Sequence, residues 1–115
     1  MIENNENMNP STIHFIGIGG IGLSAIAKLC QHNGYNVQGS DIKNSDTLER
    51  LVNMGIKVFV GHNSNNINTK IEKVIYSSAV NSKNPEFIKA KNLNIPIYSR
   101  AQILAEVMQK KKSIC

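Results

Sequence analysis

The chain has 115 residues, of which 41% are hydrophobic and 5% aromatic, and it carries a formal net charge of +5. That length gives one domain around a single core, and no apolar run approaches the roughly 18 residues of a membrane-spanning helix. The positive balance suits an anionic ligand, but the sparse aromatics, with no interleaving of basic and aromatic residues, argue against a nucleic-acid partner.

Residues 1–11 open the chain with an Asn- and Glu-rich stretch that lacks the apolar core of a signal peptide. A disordered lead-in is expected there, with the folded domain over 12–115. Cys30 and Cys115 have neither disulfide nor metal-ligand spacing, so a reduced, cytoplasmic setting is expected and no metal ligands are assigned.

The run from Ile13 to Ile18 is almost continuously apolar, as in a central parallel strand buried on both faces. His14 interrupts it and reads as a packed strand residue rather than a catalytic one. The run feeds a glycine loop in which Gly17, Gly19 and Gly22 fit G-x-G-x-x-G. Such a loop, opening a helix, places backbone N–H groups and the positive end of the helix around a diphosphate. The predicted helix runs from Gly20 to about Asn33 and buries Ile21, Ala25, Ile26, Leu29 and Cys30. Asn33-Gly34 supplies a left-handed stop.

A second short strand covers Asn36 to Gly39 and ends in Ser40-Asp41. Asp41 lies roughly 20 residues past the loop, where an acid meets a ribose hydroxyl in dinucleotide folds; a turn or cap aspartate is the alternative. Ser45 or Asp46 caps the next helix, with Asp46 and Glu49 spaced as a capping box. Its expected inner face is Leu48, Leu51 and Val52, and Gly55 closes it. A third strand, Ile56 to Val60, leads into Gly61-His62-Asn63 at the sheet edge where ligands bind in open α/β folds. His62 is a ligand-contact candidate there, or a turn residue.

A polar stretch with a short helical turn leads to a fourth strand, Lys73 to Tyr76, tipped by Ser77 and Ser78. Their hydroxyls either face the ligand or satisfy the turn. Asn84-Pro85-Glu86 is a helix start, with a cap, a proline at the first position and an acid. Phe87, Ile88 and Ala90 are expected to pack inward. A fifth strand, Ile95 to Tyr98, reads as an edge because of Pro96. Ser99-x-x-Gln102 is a second capping box, opening a helix with Leu104, Ala105, Val107 and Met108. Arg100 sits in that helix's first turn, where a cation opposes the helix dipole; an anionic partner would account for it. Ser113-Ile-Cys115 reads as the start of a further strand. The alternation gives an α/β, Rossmann-like, doubly wound and mostly parallel five-stranded sheet with helices on both faces.

Around the glycine loop, Ile13-His-Phe-Ile-Gly-Ile-Gly-Gly-Ile-Gly-Leu-Ser-Ala-Ile-Ala27 closely resembles the opening of the Mur ligases, above all those that join L-alanine to UDP-N-acetylmuramate. Similar stretches follow in order: Gly39-Ser-Asp41, Gly61-His62, Tyr76-Ser-Ser-Ala-Val80, Asn84-Pro-Glu86 and Ile95 to Met108. Leu23 and Ala25 stand where that family usually has Met and Gly. The branch that recycles murein tripeptide has Cys where this chain has Gly19.

The resemblance implies the N-terminal, UDP-binding domain of a three-domain, ATP- and magnesium-dependent ligase of peptidoglycan synthesis. The phosphate loop, metal ligands and acyl-transfer groups would then belong to the central ATPase and C-terminal domains. No G-x-x-x-x-G-K-[ST] occurs in these residues. No catalytic residue is assigned, and a chain ending here would be inactive alone. By position, Gly17, Gly19, Gly20, Ile21 and Gly22 would cradle the UDP diphosphate. Asp41 would bond ribose or uracil, and His62, Ser77, Ser78 and Arg100 would line the uridine or sugar. The rival readings are an NAD(H)-binding module of a dehydrogenase or redox-sensing regulator, and an interaction domain that has lost its ligand. The first shares the glycine loop and Asp41 but does not predict the later matches.

Overall fold

A computed structural model describes residues 11–78 and 80–103, apart from the side chain of Ile21. In chain order the elements are β1 (Thr12–Ile16), α1 (Ile21–His32), β2 (Asn36–Asp41), α2 (Asp46–Asn53), β3 (Lys57–Val60), a 3-10 turn (Ser64–Asn66), β4 (Ile71–Tyr76), α3 (Pro85–Asn92) and β5 (Ile97–Ser99). The five strands form one sheet in the order β3-β2-β1-β4-β5. Every neighbouring pair is parallel. Ile13 faces Val37 and Phe15 faces Gly39 across the β1–β2 ladder. Ile16 faces Tyr76 on the other side.

The central place of β1 explains its apolar run. A strand with neighbours on both edges and helices on both faces has no solvent side. Its side chains alternate between two cores. Ile13 and Phe15 join Leu23, Ile26, Ala27 and Leu51, from α1 and α2. Ile16 joins Val74 and Ala90, on the α3 side. Each such fully buried large side chain stabilises the fold by roughly 1.5–3 kcal/mol over exposure. His14, between Ile13 and Phe15, therefore faces α3.

Helix faces depart from expectation in three places. On α1 the buried stripe is Leu23, Ile26, Ala27 and Cys30, while Ala25 is exposed; the stripe follows i, i+3, i+4, i+7 from Leu23, which turns Ala25 outward. On α2, Leu48 and Leu51 are buried but Val52 is 53% exposed. This eight-residue helix covers only the β3 edge of the sheet, so the far side of its stripe reaches solvent. On α3, Ile88 is 45% exposed, and the inward positions belong to Glu86 and Ala90, one turn apart.

Strand and cap boundaries also shift. β2 and β4 are longer than expected. β3 starts after Ile56, whose N–H instead returns to the Leu51 carbonyl to close α2. β5 starts after Pro96, which has no N–H for a ladder, although its carbonyl accepts from Val74. Ser45 caps α2, accepting from the Leu48 N–H at 3.3 Å, which moves the cap off Asp46. The Ser99–Gln102 box forms reciprocally: Gln102 N–H donates to Ser99 Oγ at 3.1 Å, and Ser99 N–H to Gln102 Oε1 at 2.7 Å. Residues 1–10, the positions Leu104 to Met108 and the Ser113-Cys115 stretch lie outside the described residues. Among the described residues no helix is long and apolar enough to cross a membrane.

Candidate functional site

The C-terminal ends of β1, β2, β3 and β4 converge on a cavity of about 360 Å³, within the usual range for a small-molecule site. The β1–α1 glycine loop forms one wall. Gly17 takes a left-handed φ of +84°, and a Cβ there would stand 2.7 Å from Ser77 Oγ. Both facts reserve the position for glycine.

The loop's own N–H groups are largely spent on holding it. Gly17 and Ile18 donate to the Ser40 carbonyl at 2.8 and 3.0 Å, and Gly20 donates to the Gly17 carbonyl at 2.9 Å. Gly19 N–H donates to Asp41 Oδ2 at 2.8 Å, and Asp41 Oδ1 accepts from Ile42 N–H at 2.8 Å. Asp41 thus braces the loop from the end of β2. Its main chain does the same for the next turn, accepting from Gly61 N–H.

What the loop leaves open is the start of α1. Gly20, the N-cap, makes no side-chain cap bond, and the first turn holds no acid. First-turn N–H groups, here those of Ile21, Gly22 and Leu23, have no intrahelical acceptor, the first helical bond being Ser24 N–H to the Gly20 carbonyl. They sit at the positive end of a 12-residue helix. Exposed Arg100 lies against the same turn: a Cβ on Gly22 would meet its Cδ at 2.6 Å and its Nη1 at 2.7 Å. Lys83 adds a second cation on the cavity's rim. The helix end, with Arg100 against it, is an arrangement that can take an anion; Gly19 and Gly22 do not themselves line the cavity.

The back of the site is a buried carboxylate. Glu86, at the second position of α3, is fully buried, as are His14 and Ser40. Its Oε1 accepts from His14 Nε2 at 2.6 Å and from the Ser40 hydroxyl at 2.6 Å. Its Oε2 accepts from Asn63 N–H at 3.0 Å and Asn66 Nδ2 at 2.7 Å. Burial on its own would raise the Glu86 pKa; the hydrogen bond from His14 and the electrostatic attraction of its ring, with hydrogen bonds from Ser40 and Asn66, outweigh it and hold the carboxyl at about 2 against an ordinary 4.5.

The partners fix the protons. Gln38 Nε2 donates to the Asn66 carbonyl at 3.0 Å and lies 2.9 Å from His14 Nδ1. His14 Nδ1 is therefore the acceptor, and the ring proton is on Nε2, facing Glu86. The Ser40 hydroxyl spends its one proton on Glu86, so the 2.8 Å contact from Ser40 Oγ to His62 Nδ1 is donated by His62. Asn63 and Asn66 are the loop after β3, so Glu86 also pins that loop to α3.

The structure brings Gly17, Gly20, Asp41, His62 and Ser77 to one cavity. Ser78 is exposed and does not border it, and Arg100 is placed beside Gly22 instead. Ile42, Val80, Asn81, Lys83 and Asn84 also border the cavity, outside the ligand contacts expected from the sequence. In the sequence Glu86 is marked only as the acid of a helix start. A signal for it existed: a histidine inside a central strand must find a polar partner. That partner lies 72 residues away, a distance no local pattern spans. Among the described residues, no group of three His, Cys, Asp or Glu is placed to hold a metal ion.

The profile of the Mur ligase family, catalytic domain, matches residues 12–112. The UDP-N-acetylmuramate–L-alanine ligase of Sulfurihydrogenibium sp. is 52% identical over 102 residues, covering 89% of this chain and 22% of that protein. The crystal structure of UDP-N-acetylmuramate-alanine ligase MurC from Thermotoga maritima superposes with a TM-score of 0.84 at 37% identity, over 88% of this chain and 23% of that one. UDP-N-acetylmuramate:L-alanyl-gamma-D-glutamyl-meso-diaminopimelate ligase from Neisseria meningitides superposes at 0.76 with 26% identity, over 84% of this chain and 31% of that one. The chain thus spans about a fifth of the curated relative's length.

Proposed function

The chain belongs to the Mur ligase family, and on that premise we propose that it holds the nucleotide end of UDP-N-acetylmuramate for an ATP-dependent ligase that attaches L-alanine in peptidoglycan synthesis. The observation that carries this reading is the uncapped start of α1, with Arg100 against its first turn, next to a cavity whose lining includes Lys83. The diphosphate is assigned to the N–H groups of Ile21 and Gly22, with Arg100 and Lys83 as countercharges. Gly17, Gly19 and Gly20 shape the loop, whose N–H groups are engaged within it or with β2. Asp41 both braces Gly19 and turns toward the cavity, where its carboxylate can accept a ribose or uracil proton. Ile42 and Val80 supply apolar walls for the base. His62 and Ser77 complete the uridine pocket, and Ser78 is assigned the more exposed sugar end.

No catalytic residue is assigned. The described residues include no metal-holding cluster, and the 115 residues include no phosphate loop. ATP and magnesium are assigned to domains that these residues do not contain, and the chain by itself is expected to lack ligase activity. Its contribution to rate is positional: fixing a remote handle of the substrate lowers the entropic barrier to bringing carboxylate, ATP and amine together. The expected setting is the cytoplasm.

Calorimetric titration with UDP-N-acetylmuramate, UDP and NADH tests the reading. Saturable binding of the two uridine ligands is expected, with NADH weaker. Preference for NADH, or a folded sample that ignores both uridine ligands, would overturn it.

A further inference from the structure

The polar chain behind the cavity runs from the core to the ligand wall. Glu86 Oε1 accepts a hydrogen bond from the Ser40 hydroxyl at 2.6 Å, and Ser40 Oγ accepts one from His62 Nδ1–H at 2.8 Å. His62 Nδ1 is turned inward, 3.8 Å from the other carboxylate oxygen, while the side chain is 14% exposed and borders the cavity. Nε2 is then the ring's remaining polar atom. Among the described residues it has no partner.

We infer that Glu86 is a positioning residue for the cavity: through Ser40 it keeps the His62 ring proton on Nδ1 and so presents His62 Nε2 to the ligand as a hydrogen-bond acceptor. This rests on reading the cavity as a nucleotide site. A neutral Nε2 acceptor is matched by a neutral N–H or O–H of the ligand, not by a phosphate oxygen, which brings no proton. The relay therefore divides the pocket. Anion recognition belongs to the start of α1, and proton-donor recognition belongs to His62. The donor is either the ring imide of uracil or a ribose hydroxyl.

The relay predicts what Glu86→Gln does. The main-chain N–H of Asn63 cannot turn away, so the amide oxygen must take the Oε2 place opposite Asn63 and Asn66. The amide nitrogen then faces His14 and Ser40, so the His14 ring proton moves to Nδ1 and the Gln38 amide turns over to accept it, giving up its bond to the Asn66 carbonyl. Ser40 becomes an acceptor from the amide, and its hydroxyl turns to donate to His62 Nδ1. The His62 ring proton moves to Nε2, with almost no change of shape.

Long-range proton–nitrogen NMR of the imidazoles reads this directly. Expected for the unaltered chain is His62 protonated at Nδ1. Expected for Glu86→Gln is the proton at Nε2, and for Ser40→Ala a mixture of the two forms. A mixed or Nε2-protonated His62 in the unaltered chain overturns the inference. So does an unchanged ring in a folded Glu86→Gln variant. Binding supplies the second readout, with UDP, N3-methyl-UDP and 2′,3′-dideoxy-UDP as probes. The analogue that lacks the donor used should bind the unaltered chain roughly tenfold more weakly than UDP, and Glu86→Gln should erase most of that difference. Loss with the methylated base assigns the imide; loss with the dideoxy sugar assigns a hydroxyl. Equal binding of all three by the unaltered chain overturns the ligand half. Failure of UDP itself to bind overturns the nucleotide reading, whereas the ring-proton position stands or falls on the spectra alone.

Discussion

Glu86 makes the stability of this domain depend on acid in a way that can be separated from every other carboxylate. Its carboxyl titrates near 2 in the folded chain and near 4.5 when free of its partners. A depressed carboxylate stabilises the fold fully above its unfolded pKa, and that contribution disappears as pH falls toward the folded value. The gap corresponds to on the order of 3 kcal/mol, of which about 1 kcal/mol is lost by pH 4 and about 2 kcal/mol by pH 3. Other acids protonate over the same range, so the measurement is a difference. Urea unfolding of the chain and of Glu86→Gln should be compared between pH 7 and pH 3. The variant begins less stable, because His14 and Ser40 must reverse their hydrogen bonds to suit the amide. The two stability curves should then converge by about 2 kcal/mol as pH falls. Parallel curves would refute the account of Glu86 as an ionised hub with four donors.

Three further outcomes follow from the loop. Gly17→Ala puts a side chain at φ +84° and against Ser77, which should cost about 1–3 kcal/mol, read as a fall in the urea midpoint. Gly22→Ala gains helix propensity of up to about 1 kcal/mol yet displaces Arg100; thermal melting should hold or rise while UDP affinity drops. Asp41→Ala should lower UDP-N-acetylmuramate affinity by about 1–3 kcal/mol in calorimetry; unchanged affinity together with lost stability would restrict Asp41 to bracing Gly19.

Much of the architecture was legible because local chemistry decided it. The apolar run at Ile13–Ile18, the Asn33-Gly34 stop, the Asn84-Pro85 start and the Ser99–Gln102 box each depend on residues a few positions apart. The structure realises all of them. Pattern also placed Gly17, Gly20, Asp41, His62 and Ser77 at the strand ends that meet in one cavity. It went astray where the deciding neighbour was tertiary. Val52 and Ile88 fit an apolar stripe, but α2 covers only the sheet edge and leaves Val52 in solvent, while Glu86 and Ala90 take the inward face of α3 and turn Ile88 outward. In the sequence Glu86 is only the acid of a helix start, because its partners come from β1, β2 and the loop after β3.

The glycine motif is also narrower in meaning than its spacing suggests. Four successive N–H groups, from Gly17 to Gly20, already have acceptors within the loop or on β2. Losing any of these bonds to a ligand would trade one hydrogen bond for another, with little net gain. Binding free energy has to come from groups still without partners, which moves the weight of recognition one residue along, to Ile21 and Gly22. Those N–H groups point along the axis of α1 and carry its dipole. The glycines are then required for shape: Gly17 for its φ and for the room beside Ser77, Gly22 for the approach of Arg100. On this view the loop is a rigid mount, closed by Asp41 on one side and Ser40 on the other. Ser40 is shared, with its carbonyl holding Gly17 and Ile18 and its hydroxyl linking Glu86 to His62. On the proposed assignment the anion-holding and donor-reading halves of the pocket therefore meet at one buried serine, and a change at Ser40 should disturb both.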